Sequence, residues 1–375
     1  MINYAVIGIG RMGSIHAKNL YDGNVADARL VALCDVDDEK LNFCRVSFPK
    51  IRTFDNYKSI LLEMVVDAVI VAVPHYFHGE ITEYFLRQGI SVLCEKPECV
   101  SVFEAEQINL VARNSKALFG IMFNQRTNPV YRRAKEIISR GGVGDLRRFS
   151  MTVTHWYRSQ FYYDQGGWRA SWNGEGGGIL INQCVHELDI LQWLIGMPKS
   201  VIANCSTINR NITVENDVTA MFEFENGASG IFVASGHELS GTNRLEIVGD
   251  KGKIIIDDFN LTYYKYANSE IEVNASVTEG YGFTDMSIER LSYGGCDRER
   301  DEKLGQQIRV IEQFTKAMME EGEHPVAYGE EGIQSLSIIN GIYLSSAKKE
   351  KVYFPIDRSE YEKLLSELKL QERKR

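Results

Sequence analysis

No stretch of this 375-residue chain is apolar for long enough to cross a bilayer. Ala68 to Val73, among the longer apolar runs of the first half, is far short of the roughly 20 residues a spanning helix needs, so no membrane partner is expected. A basic run is missing too. Forty-two Lys plus Arg stand against 51 Asp plus Glu, a net charge of −9, and such a surface has little with which to clothe a phosphate backbone, so nucleic acid is not an expected partner. The chain begins Met-Ile-Asn-Tyr-Ala-Val-Ile, without a charged leader or a small-residue cleavage site, and a cytoplasmic location is expected.

Cysteines are few and odd in number: seven, at positions 34, 44, 94, 99, 184, 205 and 296. Scattered through mostly apolar segments, they read as free buried thiols rather than a disulfide framework. Cys94 and Cys99 flank Pro97, and His75 with His78 is the only close histidine pair. A zinc site needs convergent ligand pairs, so no metal is expected.

What is present is ordinary globular material, 44% of AVILMFWYC and 25% charged, in a length that suits two domains. From residue 2 to about 123, short β-branched runs alternate with amphipathic stretches: Ala5 to Ile7, Leu30 to Cys34, Ala68 to Val73, Ser91 to Cys94 and Leu118 to Phe123. This alternation predicts crossover units on a parallel sheet, hence an α/β Rossmann-type first domain over 1–123. Ser101 with Glu104 opens a helical period that runs to Ser115, the pattern of a capping box.

After Gln125 the strand candidates come as adjacent pairs: Val218 to Phe224 with Ala228 to Ala234 around Glu-Asn-Gly, and Arg244 to Val248 with Lys253 to Asp257 around Gly-Asp-Lys-Gly. Tight turns between alternating runs predict hairpins, so a second α+β domain over 124–375 should carry an antiparallel sheet. Asn274 to Lys303 has no period and reads as a long loop. Helical segments follow from Leu304 to Glu321 and from Gly332 to Lys349, ahead of a charged C-terminal tail, and the C-terminal helices are expected to pack back on the first domain.

Gly8-Ile9-Gly10-Arg11-Met12-Gly13 sits where a short strand gives way to a helix. Two glycines there permit a tight turn and close approach of a pyrophosphate, and the third permits close helix packing. Asp35, after the second strand, is placed to accept both hydroxyls of an adenosine ribose and to repel a 2′-phosphate. NAD is therefore the expected cofactor over NADP, although Asp37, Asp38 and Lys40 follow closely. Val73-Pro74-His75, with His78 just beyond, and Glu95-Lys96-Pro97 end two further parallel strands, at the edge where such sheets bind ligands. A lysine delivered there can donate a hydrogen bond to a substrate oxygen.

Gly176-Gly177-Gly178 feeds a helical stretch carrying Asn182, His186 and Asp189 on one face, with residues 181, 185, 188 and 195 on the apolar one. His155, Tyr157, Arg158, Trp168, Arg169 and Trp172 concentrate aromatic rings and guanidinium groups just before that turn, surroundings that suit a sugar ring and its hydroxyls or carboxylate. Asn124, Gln125 and Arg126 stand at the domain junction and are candidates for the cleft.

Taken together, the glycine turn Gly8 to Gly13, Glu95-Lys96-Pro97 and the glycine-primed helix with His186 make the chain resemble the Gfo/Idh/MocA family over nearly its whole length, Glu-Lys-Pro being the most specific of these marks. The resemblance implies a dinucleotide-binding domain followed by one with a large open, mainly antiparallel sheet that packs against another subunit. It implies an NAD-dependent oxidoreductase acting on a sugar or polyol, with Lys96 and His186 catalytic. Where the family usually has an aspartate four residues before the histidine, this chain has Asn182, which positions by hydrogen bonds and cannot act as a base. Two other readings stand beside it: a glycoside-cleaving enzyme that oxidises the ring transiently, and a dinucleotide-binding sensor without catalysis.

Overall fold

The computed structural model describes residues 1–374, the side chains of Cys296 and Asp297 excepted. The chain forms two compact units, one of Met1–Thr127, Gly174–Gly176 and Cys296–Leu336, the other of Asn128–Asn173, Gly177–Gly295 and the chain from Ser337 onward. Among the described residues no helix is long and apolar enough to cross a membrane.

The first unit holds six strands, β1 (Ile2–Ile7), β2 (Ala28–Cys34), β3 (Arg52–Phe54), β4 (Ala68–Val71), β5 (Ser91–Cys94) and β6 (Phe119–Ile121). They form one sheet in the order β3-β2-β1-β4-β5-β6, and every pairing is parallel. All four residues of β4 and of β5 are buried, because helices cover both faces of a parallel sheet and its strands read as unbroken apolar runs. The order reverses between β1 and β4, a switch point where ligands bind at the carboxyl ends of strands.

The core of this unit is completed from far along the chain. Ile308, Val310, Ile311 and Phe314 of the helix Gln307–Met319 pack with Tyr4, Val6, Leu33, Ile70 and Leu93. Tyr4 Oη and Thr315 Oγ1 lie 2.8 Å apart, and Gly120 is glycine because a Cβ there would lie 2.8 Å from the Phe314 ring.

The second unit is built on nine strands: β7 (Leu146–Val153), β8 (Ser200–Ser206), β9 (Asp217–Glu223), β10 (Ser229–Ser235), β11 (Asn243–Gly249), β12 (Gly252–Asp257), β13 (Asn260–Tyr266), β14 (Met286–Ser292) and β15 (Val352–Tyr353). The order is β14-β13-β12-β11-β7-β10-β9-β8-β15, and only β7 with β10 is parallel. The two expected hairpins are present, β9 with β10 and β11 with β12. Phe149, Met151, Val153, Phe232, Leu245, Ile247, Ile254 and Ile256 alternate onto one buried face, as a one-sided antiparallel sheet requires.

One expectation fails here. The segment Asn274 to Lys303 is not a loop: it contains the end of the helix Glu270–Ser276, strand β14 and most of the helix Gly295–Leu304. Strand β14 lies at the sheet edge with no buried residue on either face, so it shows no hydrophobic alternation to detect. The charged tail is also structured, as the helix Arg358–Glu372, whose Asp357 cap accepts from Ser359 and Glu360 N–H. Its Glu372 accepts from the Trp172 and Asn173 amides at 2.8 Å each.

Glu215 organises the turn after the triple glycine. Fully inside, it accepts from Gly178 N–H, Leu180 N–H and Tyr343 O–H. These donors favour the carboxylate, but burial outweighs them and pushes its pKa up to about 7 from 4.5. The folded chain thus keeps a proton that the unfolded chain has released, and this contribution to stability is lost as pH rises from near 4.5 through about 7. Relative to Glu215→Gln, the wild-type protein should lose at most about 3 kcal/mol between roughly pH 5 and pH 8 in urea unfolding. A difference between the two proteins that does not change with pH contradicts this.

Candidate functional site

In the first unit, the three glycines after β1 answer three different constraints. Gly8 has φ +89°, and a Cβ on it would lie 2.5 Å from Ala72 O; one on Gly13 would lie 1.8 Å from Gly8 O. Both are forced by packing. Gly10 is not: a Cβ there meets no protein atom within 4 Å. Gly10 is the N-cap of the helix Arg11–Tyr21, with no capping side chain and no acidic residue in the first turn. The open space lies where unpaired N–H groups and the helix dipole attract an anion, so these residues fit a dinucleotide pyrophosphate.

Asp35 follows β2. One oxygen accepts from Ile9 N–H at 2.6 Å, the other from Asp37 N–H at 3.0 Å, and Lys40 Nζ lies 3.3 Å away. A carboxylate has about four acceptor positions, so it retains capacity for a ribose hydroxyl.

The ends of β4 and β5 differ from expectation in which side chains face outward. Val73 and Pro74 are half-buried, but His75 and His78 are inside. His75 Nδ1 lies 2.9 Å from Glu175 O. His78 lies with Nδ1 2.7 Å from Pro97 O and Nε2 2.8 Å from Val73 O. Burial holds its imidazole below the usual value, so the neutral ring donates to one carbonyl at a time. His78 therefore ties the β4 loop to the lysine segment and does not reach outward to a cofactor. Glu95 is also turned in, 2.8 Å from His16 Nε2, while Lys96 is half-buried.

Asn124 donates to Gln306 Oε1 at 3.1 Å, and Gln125 is half-buried. The Arg126 side chain is 2% exposed, paired with Glu331 and stacked on Phe123. Burial and these bonds leave the Arg126 side chain little surface for the substrate role expected of it.

In the second unit the helical face expected of residues 182, 186 and 189 is not continuous. The chain forms a short helix Ile179–Asn182, turns at Gln183 and Cys184, and resumes as Val185–Ile195. Asp189 is fully buried and accepts from Gln192 at 3.0 Å, so it lines no cleft. From Ile181 to Ile190 Asn182 and His186 are half-buried, and the other residues are buried. Gly178 is demanded by packing, since its Cβ would lie 1.9 Å from Glu215 O.

The aromatic segment of this unit divides. Trp172 is core: its N–H donates to Thr213 O at 3.0 Å and its ring lies edge-on to Tyr343. His155 packs on Trp156 at 4.4 Å, and burial, with Arg158 adding to it, lowers its pKa. Trp156 donates to Glu187, the neighbour of His186, at 3.0 Å. Arg158 stacks between Trp156 and Tyr162, and Arg169 contacts both Tyr162 and Trp168. Arg210 stacks on Tyr157 and donates to Arg158 O at 2.7 Å. Sequence reasoning missed Arg210, which lies between two strands in Asn-Arg-Asn with no motif around it, and Glu215.

Gly10→Val is expected to cost no more than about 1 kcal/mol of stability while weakening NADH binding about tenfold or more. Gly13→Val should instead destabilise by about 3 kcal/mol or more. NADH fluorescence titration and urea unfolding measure both; NADH binding to Gly10→Val as tight as to the wild type contradicts the assignment.

Comparison with known proteins agrees with this geometry. Residues 2–123 match the oxidoreductase family model with an NAD-binding Rossmann fold, and residues 131–255 match the GFO/IDH/MocA C-terminal domain. The chain is similar to inositol 2-dehydrogenase of Rhizobium meliloti (strain 1021), 25% identical over 94% of this chain and 98% of that one. It is also similar to scyllo-inositol 2-dehydrogenase (NAD(+)) of Bacillus subtilis (strain 168), 27% identical over 68% and 73%. In fold it matches the WlbA dehydrogenase from Bordetella pertussis, solved with NADH and UDP-GlcNAcA, with a TM-score of 0.79 at 22% identity over 95% of this chain and 98% of that one. The chain therefore belongs to the GFO/IDH/MocA oxidoreductase family, and its first unit is an NAD-binding Rossmann domain.

Proposed function

We propose that this protein is an NAD(H)-dependent dehydrogenase that moves a hydride between a ring carbinol carbon of a sugar or polyol derivative and nicotinamide. The observation that carries the reading is the open side of Gly10 at an uncapped helix start, on the sheet edge that also delivers Lys96. The similarity to proteins named as inositol dehydrogenases supports the substrate class.

The Gly8 to Gly13 turn and the first N–H groups of the helix Arg11–Tyr21 would hold the pyrophosphate, with Asp35 on the ribose. Bound NAD supplies the hydride acceptor. His186 takes the carbinol proton as the alcohol is oxidised and returns it in the reverse direction. Lys96 donates a hydrogen bond to the same oxygen and stabilises its developing negative charge. Asn182 orients the ring through its amide, which has no proton-accepting step to offer.

The open face of the second sheet supports a homo-oligomer. Ile202, Met221 and Ile231 stand in one register row across β8, β9 and β10 and are 39%, 49% and 43% exposed. An apolar row of this kind favours cover by a second copy of the same sheet. Among the described residues, the thiols at Cys34, Cys44, Cys94, Cys99 and Cys205 support a reducing compartment such as the cytoplasm.

Lys96→Ala and His186→Ala should each lower turnover by about 10²–10⁴ on whichever sugar or polyol best supports NAD reduction, with NADH affinity changed less than about threefold. Turnover at the wild-type level overturns the assigned roles. Glycoside consumption without accumulation of NADH would replace the net dehydrogenase reading with a cleaving one.

A further inference from the structure

We propose that Arg158, Arg169 and Arg210 form a receptor for an anionic group, a carboxylate or a phosphate, carried by the substrate. The proposal rests on the dehydrogenase reading and narrows its substrate class. All three residues belong to the second unit.

The geometry brings two of these cations onto one ring. The Arg158 and Arg169 guanidinium carbons lie 4.9 and 5.6 Å from the centroid of Tyr162. Arg210 is tied to the same segment through the backbone, its Nε donating to the Arg158 carbonyl at 2.7 Å and its Nη1 to Asn209 O at 2.7 Å. Two cations sharing one ring repel one another, an effect screened over roughly 8 Å at physiological salt. Rings on either flank, Trp156, Trp168 and Tyr157, hold the planes in place and offset part of that repulsion.

What the cluster lacks is a counter-ion. None of the three guanidinium groups meets a carboxylate among the described residues, although the chain has nine more acidic than basic residues and pairs many of its other arginines, such as Arg133, Arg244 and Arg309. Carboxylates on neighbouring elements are engaged elsewhere: Asp164 accepts from Gln160, Asp217 is paired with His237, and Glu187 accepts from Trp156. Each arginine also has a buried nitrogen without an acceptor: Nε of Arg158, Nε of Arg169 and Nη2 of Arg210.

A buried N–H of a charged group left unmatched is costly, and a planar anion with several acceptor lone pairs is what such donors recognise. The cluster ends at Trp156, whose indole is bonded to the residue after His186. An anion held there would belong to a molecule lying against the His186 segment, and a neutral polyol would leave the guanidinium groups unmatched.

Titration calorimetry of the NADH-loaded protein with D-glucuronate, D-glucose 6-phosphate and D-glucose tests the receptor. At low salt at least one anion should bind about tenfold or more tightly than glucose, with the gap narrowing at high salt. Glucuronate as the tighter ligand identifies a carboxylate, and glucose 6-phosphate a phosphate. Arg169→Gln and Arg210→Gln should each shrink the preference, while Arg210→Lys, which keeps the charge, should retain most of it. Equal affinity for all three sugars, undetectable binding of all three included, overturns the proposal, as does a preference that survives both Gln substitutions. Turnover separates the two ideas. Anion preference without any NAD reduction on a sugar panel keeps the receptor and removes the dehydrogenase reading; NAD reduction by neutral polyols with equal binding does the reverse.

Discussion

The first unit depends on one register. Ile7, Val71 and Cys94 pair in a single row across β1, β4 and β5, so the chain leaves all three strands at the same edge, at Gly8, Ala72 and Glu95. The packed glycines Gly8 and Gly13 then let the helix after β1 press against that edge, which brings its N-terminal N–H groups to the carboxyl ends of the strands. Buried histidines tie the edge together from below. His16, on the helix after β1, holds Glu95, and His78, at the start of the helix after β4, lies against Pro97 O. Lys96 is thus bracketed by two fixed neighbours, and its placement follows from packing on both sides.

The second unit applies a similar device by different means. Its triple-glycine turn closes on Glu215, a carboxyl taken out of water and supplied with three donors. Removing the side chains at 177 and 178 lets the turn approach Tyr343 and Glu215 closely. The short helix that follows then begins from a defined point, and Asn182 and His186 emerge as the two half-buried positions in an otherwise buried stretch. A polar group buried at this cost is a reason to expect the turn to be rigid.

Much of this was readable in the amino-acid order because the chemistry is local. Gly8 to Gly13, the hairpin turns and the unbroken apolar strands each carry their own steric or hydrogen-bonding reason. Strand β14 was not readable: an edge strand buried on neither face has no alternation to show. The break at Gln183 and Cys184 was hidden because Asn182 and His186 keep the spacing of one helical face while belonging to two helices. For His75, His78 and Arg126, position along the chain was legible but side-chain direction was not, since direction depends on Glu175, Pro97 and Glu331, which lie far away in sequence. Arg210 had no local signal, and only the fold sets it beside Tyr157 and Arg158.

The most direct test of the central claim is a crystal structure of the protein grown with NADH. The pyrophosphate is predicted to rest against the Gly10 turn and the first N–H groups of the helix Arg11–Tyr21, with the ribose hydroxyls on Asp35 and the nicotinamide beside Lys96. A dinucleotide lodged elsewhere, or one whose nicotinamide lies remote from Lys96, would contradict the account.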